Sequence, residues 1–182
     1  MELSRLAHYA ADTLPETILE AGQRCAAQLS VGKKILVCGN GGSAADAAHF
    51  VAELIGRMGM ERAPLAAVSL CVDPSVVTCI ANDYGYENLF ARQVEGLGRA
   101  GDVLVAISTS GRSENVGRAI AAARAREMLT VTLIGDPERS SFPESDVVIA
   151  VPSKNTARIQ EIHTATLHAL CDVIERTLFA DQ

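Results

Sequence analysis

Five short apolar runs rich in Val and Ile punctuate the chain, at residues 35–38 (within "KILVCG"), 65–70 ("LAAVSL"), 102–108 ("DVLVAIS"), 129–135 ("LTVTLIG") and 146–152 ("DVVIAVP"). Runs of this kind read as strands buried on both faces, the signature of a parallel sheet. Segments of helical pattern separate them: 43–57, about 74–81 with 86–97, 113–127, and a long last one at 156–178. Ahead of the first strand, residues 2–29 carry Ala, Leu, Glu and Gln throughout, with Asp12-Thr13 before Pro15. Proline lacks an N–H that a first helical turn leaves unbonded anyway, so this marks a helix start, and one or two helices fit there.

Strands alternating with helices at this spacing imply right-handed βαβ crossovers. The predicted fold is α/β, a three-layer α/β/α sandwich on a five-stranded parallel sheet, with an N-terminal helical extension at 1–30 and the α/β core at 33–182. A chain of 182 residues with 48% hydrophobic content fills one such domain, 1–182. Sheets of this type bind ligands beyond the carboxyl ends of their strands, where the strand order reverses. The loops after the first and third strands are therefore the places to look.

Composition narrows the function classes. Sixteen basic against 22 acidic residues give a net charge of −6, and no Lys/Arg cluster exceeds a dipeptide, so a main role in holding nucleic acid is not expected. The absence of Trp and 4% aromatic content disfavour a base-stacking surface. Cys25, Cys38, Cys71, Cys79 and Cys171 are odd in number, without a CxxC pair, and mostly in apolar stretches, which suits reduced core residues of a cytoplasmic protein. The start "MELSRLAHYA" has no signal-peptide pattern, and no apolar run reaches the length of a membrane span.

The loop after strand three reads "STSGRSENV", placing Ser108, Thr109, Ser110 and Ser113 around Gly111 at the start of a helix. Hydroxyls, backbone N–H groups and the positive end of a helix dipole bind a phosphomonoester without lysine. The competing reading is ordinary N-capping by Ser113. The loop after strand one, "GNGGS", fails the GxGxxG spacing of a dinucleotide site and lacks the Lys-Ser/Thr of a P-loop. It remains a tight turn that brings Gly41, Gly42 and the Asn40 amide close to a polyhydroxylated or phosphorylated ligand.

On the following helix, Asp46, His49 and Glu53 share one face. His at i and Glu at i+4 suit two ligands of one divalent metal, and Asp46 a turn earlier is placed to orient the imidazole; the alternative is a solvated helix face. Phe50, Val51 and Leu54 make the helix amphipathic, so the polar stripe should line the cavity. The last helix carries Gln160 and His168 on one face, about 12 Å apart along the axis, which is long for sharing a small ion unless the side chains lean together. His163 and His8 read as structural or exposed.

Taken together, "GNGGSAADAAHFVAEL", "IANDYGY", "GDVLVAISTSGRSENV" and "ARIQEIHTATLHAL" resemble the phosphoheptose isomerase (sedoheptulose-7-phosphate isomerase) family of the sugar isomerase superfamily, in order and from about residue 33 to 178. The resemblance implies an aldose–ketose isomerase acting on sedoheptulose 7-phosphate through an enediol, at the start of ADP-heptose or GDP-heptose precursor synthesis, such as that for lipopolysaccharide. It implies a cytoplasmic homotetramer with sites between subunits, the helices at 1–30 serving oligomer packing, and one Zn²⁺ per subunit on His49, Glu53, Gln160 and His168. Substrate contacts then fall on Asn40, Gly41, Gly42, Asp46, Asn82, Asp83, Ser108, Thr109, Ser110, Ser113 and Gln160, with Glu53 and His168 as the catalytic pair. The chain departs from the family pattern at Arg112, commonly Asn, at Ala157, Asp in some members, and in the short loop "GDPERSSF". The rival is a non-catalytic relative of the same fold that binds the replication initiator, which has no need of His49, Glu53 and His168 together.

Overall fold

In a computed structural model, which describes residues 1–179, five strands form one parallel sheet: β1 Ile35–Gly39, β2 Ala67–Ser69, β3 Val103–Ser108, β4 Leu129–Ile134 and β5 Val147–Ala150. Their order is β2-β1-β3-β4-β5, so the direction of winding reverses between β1 and β3. Every residue of β1, β3 and β4 is buried, which is why those runs are uninterruptedly apolar or small. Side chains alternate between faces. Val103, Val105 and Ile107 join one apolar cluster with residues of α2 (Pro15–Ser30), α3 (Gly42–Ile55) and α7 (Thr156–Phe179). Leu104 and Ala106 join the other, with α4 (Pro74–Tyr84), α5 (Leu89–Leu97) and α6 (Glu114–Ala125).

The N-terminal pattern resolves into two helices, α1 Glu2–Thr13 and α2, broken at Leu14 where Pro15 opens the second. α2 is a structural part of the sandwich, since Ala21, Cys25 and Ala26 are fully buried in the same cluster as β1 and β3. α1 packs Leu6 against Val151, Ile159 and Ile162. Two strands begin one residue later than the apolar runs suggest, because Asp102 and Asp146 are anchors rather than strand residues. Asp102 accepts bonds from the Lys34 and Arg99 N–H groups and the Lys34 ammonium; Asp146 accepts from the Thr130 N–H and hydroxyl. The strand expected at 65–70 shrinks to three residues, and α4 extends to Tyr84, where Gly85 at φ +85° ends it. Residues 180–182, the end of the expected 33–182 core, lie outside the described residues.

Candidate active site

β1 and β3 deliver their loops side by side at the point where the strand order reverses. Between these loops and the start of α7 is a cavity of about 290 Å³ lined by Asn40, Gly41, Gly42, Ser43, Ile107, Ser108, Thr109, Ser110, Ser113, Thr156 and Gln160. Gly41 adopts φ +56°, a conformation that side-chain-bearing residues rarely take, and so turns the chain directly from β1 into α3. Ser108, at the buried end of β3, lies 3.3 Å from the Ser113 hydroxyl and 3.5 Å from that of Ser110. Ser113 stands at the N-cap of α6 but makes no capping bond; its hydroxyl faces Ser108 instead. The ordinary capping explanation for this serine therefore fails, and three hydroxyls converge on one wall.

A pair of reciprocal amide bonds fixes the two loops to each other. Asn40 Nδ2 donates to Asn115 Oδ1 at 2.8 Å, and Asn115 Nδ2 returns a bond to Asn40 Oδ1 at 3.0 Å. Tyr86 adds its hydroxyl to the same Asn40 oxygen at 2.8 Å. Asn115 and Tyr86 were not among the expected site residues; a buried amide just after the hydroxyl loop was the available signal for the first. Asn82 and Asp83 are not brought into this cavity: both are exposed at the end of α4, where Asn82 Nδ2 donates to Asp83 Oδ1 at 2.7 Å.

From the cavity, α3 and α7 run alongside each other in the same direction, and their facing side chains meet rung by rung. At the first rung Gly42 faces Gln160, whose amide occupies the space a Cβ would fill. At the second, the Thr164 hydroxyl donates to Asp46 Oδ1 at 2.9 Å, while Asp46 Oδ2 is buried without a partner. Burial raises the Asp46 carboxyl above its ordinary value, against the opposing effects of Thr164 and His49. Asp46 was expected to orient the His49 ring; its hydrogen bond goes to Thr164 because that hydroxyl stands directly across the seam. At the third rung His49 Nε2 meets His168 Nε2 at 2.8 Å, with Glu53 Oε1 3.6 Å from His49 Nε2.

One donor atom from each of His49, Glu53 and His168 lies within 4.8 Å of the others, a group able to hold a metal ion. Two imidazole nitrogens this close cannot both carry a proton; either one N–H donates to the other lone pair, or both lone pairs face a cation. No neighbouring copy is needed for His168 to reach His49. Gln160, expected as a further ligand, sits two rungs away in this chain with its amide against Gly42. His163 points to the opposite side of α7: it is fully buried and bonds the Ile134 carbonyl at 3.0 Å, confirming a structural role. His8 bonds the Ser4 carbonyl within α1, remote in sequence from the seam.

A parallel sheet whose reversal point carries a hydroxyl cradle is the architecture of a SIS-domain protein, and residues 1–135 match the SIS domain family. Phosphoheptose isomerase of Shewanella sediminis (strain HAW-EB3) is 51% identical over 173 residues, 93% of this chain and 88% of its own length. The structure of a phosphoheptose isomerase from Neisseria gonorrhoeae superposes with a TM-score of 0.88 at 46% identity, covering 96% of this chain and 93% of that one. One from Francisella tularensis gives 0.91 at 37% identity with the same coverage. The chain belongs to the phosphoheptose isomerase family.

Proposed function

We propose that the protein converts sedoheptulose 7-phosphate to D-glycero-D-manno-heptose 7-phosphate. The observation that carries this assignment is the continuity of the site: one polar seam leads from a hydroxyl cradle to a carboxylate facing two imidazoles. The reaction removes a proton from C1 of the ketose, holds an enediol, returns a proton to C2 and passes a hydroxyl proton from O1 to O2. It needs a base and an acid on facing sides of two adjacent carbons. Glu53 serves as the base and His168 as the acid partner, each alternating between proton transfer and metal ligation. Ser108, Thr109, Ser110 and Ser113 hold the phosphate, with Asn40, Gly41 and Gly42 beside them, while Asp46 and Gln160 contact the sugar between the two ends. Asn82 and Asp83 serve where a second copy completes the site.

His49, Glu53 and His168 would hold one Zn²⁺ per subunit; Gln160, the fourth donor the resemblance implies, reaches them only if its side chain leaves Gly42 or a second copy supplies it. Two histidine nitrogens on a tetrahedral zinc lie about 3.3 Å apart when each bond is about 2.0–2.1 Å, so the rings, which meet here at the hydrogen-bond distance of 2.8 Å, would part by about 0.5 Å to take the ion. Bound there, zinc stabilises negative charge developing on the substrate oxygens. The protein acts in the cytoplasm as a homotetramer, feeding heptose precursor synthesis; among the described residues no helix is long and apolar enough to cross a membrane. Incubating the pure protein with sedoheptulose 7-phosphate and analysing the product tests the assignment: an aldoheptose 7-phosphate is expected, and unchanged ketose would overturn it.

A further inference from the structure

Next to the hydroxyl cradle is a second cavity of about 150 Å³, which shares Thr109, Ser110 and Thr156 with the first and adds Arg112, Arg139 and Lys154. None of these three cations forms an ion pair among the described residues, whereas Arg24, Arg57, Arg62, Arg118, Arg124, Arg158 and Arg176 all do. Arg5, Lys33, Arg92, Arg99 and Arg126 also lack an ion pair there but lie outside this lining, which brings three unpaired cations together around one small cavity. The one acid in the lining, Asp136, uses Oδ1 to accept the Glu138 N–H at 3.2 Å.

The backbones that carry these cations are fastened to the site. The Arg112 N–H donates to Ser110 Oγ at 3.2 Å. The loop bearing Arg139 is tied to Gly111 twice, by the Ser141 N–H at 2.9 Å and the Ser140 hydroxyl at 3.2 Å. Lys154 sits between Ser153 and Asn155, whose side chains donate to the two carboxylate oxygens of Glu2 at 2.8 and 3.3 Å. A cradle of hydroxyls and a helix terminus can hold one phosphate unaided. Three cations one step further along suit another anionic group, since guanidinium and ammonium donors make charge-assisted bonds to phosphoryl oxygens.

We propose that this cavity is a second anion subsite, contiguous with the cradle, through which the protein binds ligands carrying two adjacent phosphoryl groups as competitors of its monophosphate substrate. The inference rests on the assignment of the cradle as the phosphate end of the site. The test compares inorganic pyrophosphate with inorganic phosphate, as inhibitors of isomerisation and as titrants in calorimetry, in the full-length protein and its Arg139→Gln/Lys154→Gln variant. Both substitutions are at exposed positions, and thermal denaturation checks that the variant is folded.

Pyrophosphate should compete with substrate and bind at least about tenfold more tightly than phosphate, because it engages the additional charged donors. In the double variant that preference should fall to within about twofold, with phosphate binding and kcat/KM for the sugar phosphate unchanged. A preference that is absent from the parent protein, or that survives the double substitution, overturns the subsite. Inhibition through chelation of metal acts on both proteins alike, leaves the preference in the variant, and counts against it. Equal loss of phosphate and pyrophosphate binding also overturns it, since the cations would then serve the cradle's own ligand. Phosphate that fails to compete in the parent protein removes the cradle assignment itself, an outcome distinct from the others.

Discussion

The two ends of the α3–α7 seam use the same kinds of side chain in opposite ways. Beyond the third rung, Glu175 and Arg62 form an ion pair 3.0 Å long in which both side chains are 1% exposed. Glu175 accepts bonds from the N–H groups of Met58, Gly59 and Met60 and from Arg62 Nε, and Arg62 donates onward to the carbonyls of Glu53, Leu54, Gly56 and Ala63. Burial opposes ionisation of Glu175, but these donors outweigh it and hold its carboxyl below the ordinary range. At the site end, by contrast, Asp46 keeps an unpartnered oxygen, and two exposed imidazoles have only each other as hydrogen-bond partners among the described residues, at 2.8 Å. Buried polar groups that only hold a fold together are saturated, because each missing bond costs about 1–3 kcal/mol. Asp46 Oδ2, short of a partner on the seam that leads from the cavity, is placed for a ligand, whereas His163 Nδ1, equally short of one, is enclosed in the core on the other side of α7.

The most severe way to break this contrast is at the carboxylate assigned to proton transfer. Glu53→Gln keeps the size of the side chain and its place on α3, so the fold should be retained while turnover falls by about 10²–10⁴-fold, the usual contribution of a positioned base. A coupled assay alongside circular dichroism checks both halves, and full turnover with an intact fold would remove Glu53 from the mechanism.

At the saturated end the expected loss is in stability. Arg62→Met leaves Glu175 buried without its guanidinium, a change that costs about 3–5 kcal/mol, and removing the stranded charge as well with Glu175→Gln, whose amide oxygen still accepts from the Met58, Gly59 and Met60 N–H groups, should recover part of that loss. Denaturant titration of Arg62→Met against Arg62→Met/Glu175→Gln measures the difference. If the double variant is no more stable than the single one, the carboxylate is not the source of the cost.

Much of this arrangement can be read from the sequence, and the part that cannot has a physical reason. The strands are legible because β1, β3 and β4 are buried on both faces and must be apolar or small throughout. His49 and Glu53 are legible as a pair because i and i+4 share a helix face. The arrival of His168 is not legible from spacing, and only the family resemblance supplies it, since the register between α3 and α7 is set by packing across the seam and neither helix encodes it alone. The same holds for Thr164, whose partner Asp46 is 118 positions away. Gln160 and His168 do follow one face of α7, as their spacing implies, but the eight residues between them place one at the glycine turn and the other at the imidazole pair. Glu175 carried a weaker signal, an acid at the end of the apolar stretch "LCDVIE", which patterning by itself assigns to solvent.

His163, on the other side of α7, is the exception among the structural groups, being buried and only half satisfied: Nε2 bonds Ile134, and Nδ1 has no partner. Burial pushes its pKa from 6.5 down to about 4, against the smaller upward pull of the Ile134 carbonyl. The unfolded chain therefore takes up a proton at a pH where the folded one does not. The stabilising contribution is complete above about pH 6.5 and is lost as pH falls towards 4, a total of about 3 kcal/mol. His163→Gln should be less sensitive over that window, and urea midpoints at pH 7 and 5 for the two proteins give the difference; parallel pH dependences would mean that His163 is not the titrating group.

The smallest effect separates cap from cradle. A serine that caps a helix costs about 1 kcal/mol of stability when replaced by alanine. Ser113 occupies the N-cap position of α6 but makes no capping bond, its hydroxyl lying instead 3.3 Å from that of Ser108. Ser113→Ala should therefore leave stability within about 0.5 kcal/mol of the parent, as for a substitution away from any structural bond. The lost bond to a charged phosphate should raise KM by about tenfold, with kcat little changed because the contact is made equally in the ground and transition states. Denaturant midpoints and steady-state kinetics read the two effects independently. A variant that loses a full kilocalorie but keeps its KM would return Ser113 to the structural end of the comparison and leave the cradle with Ser108, Thr109 and Ser110.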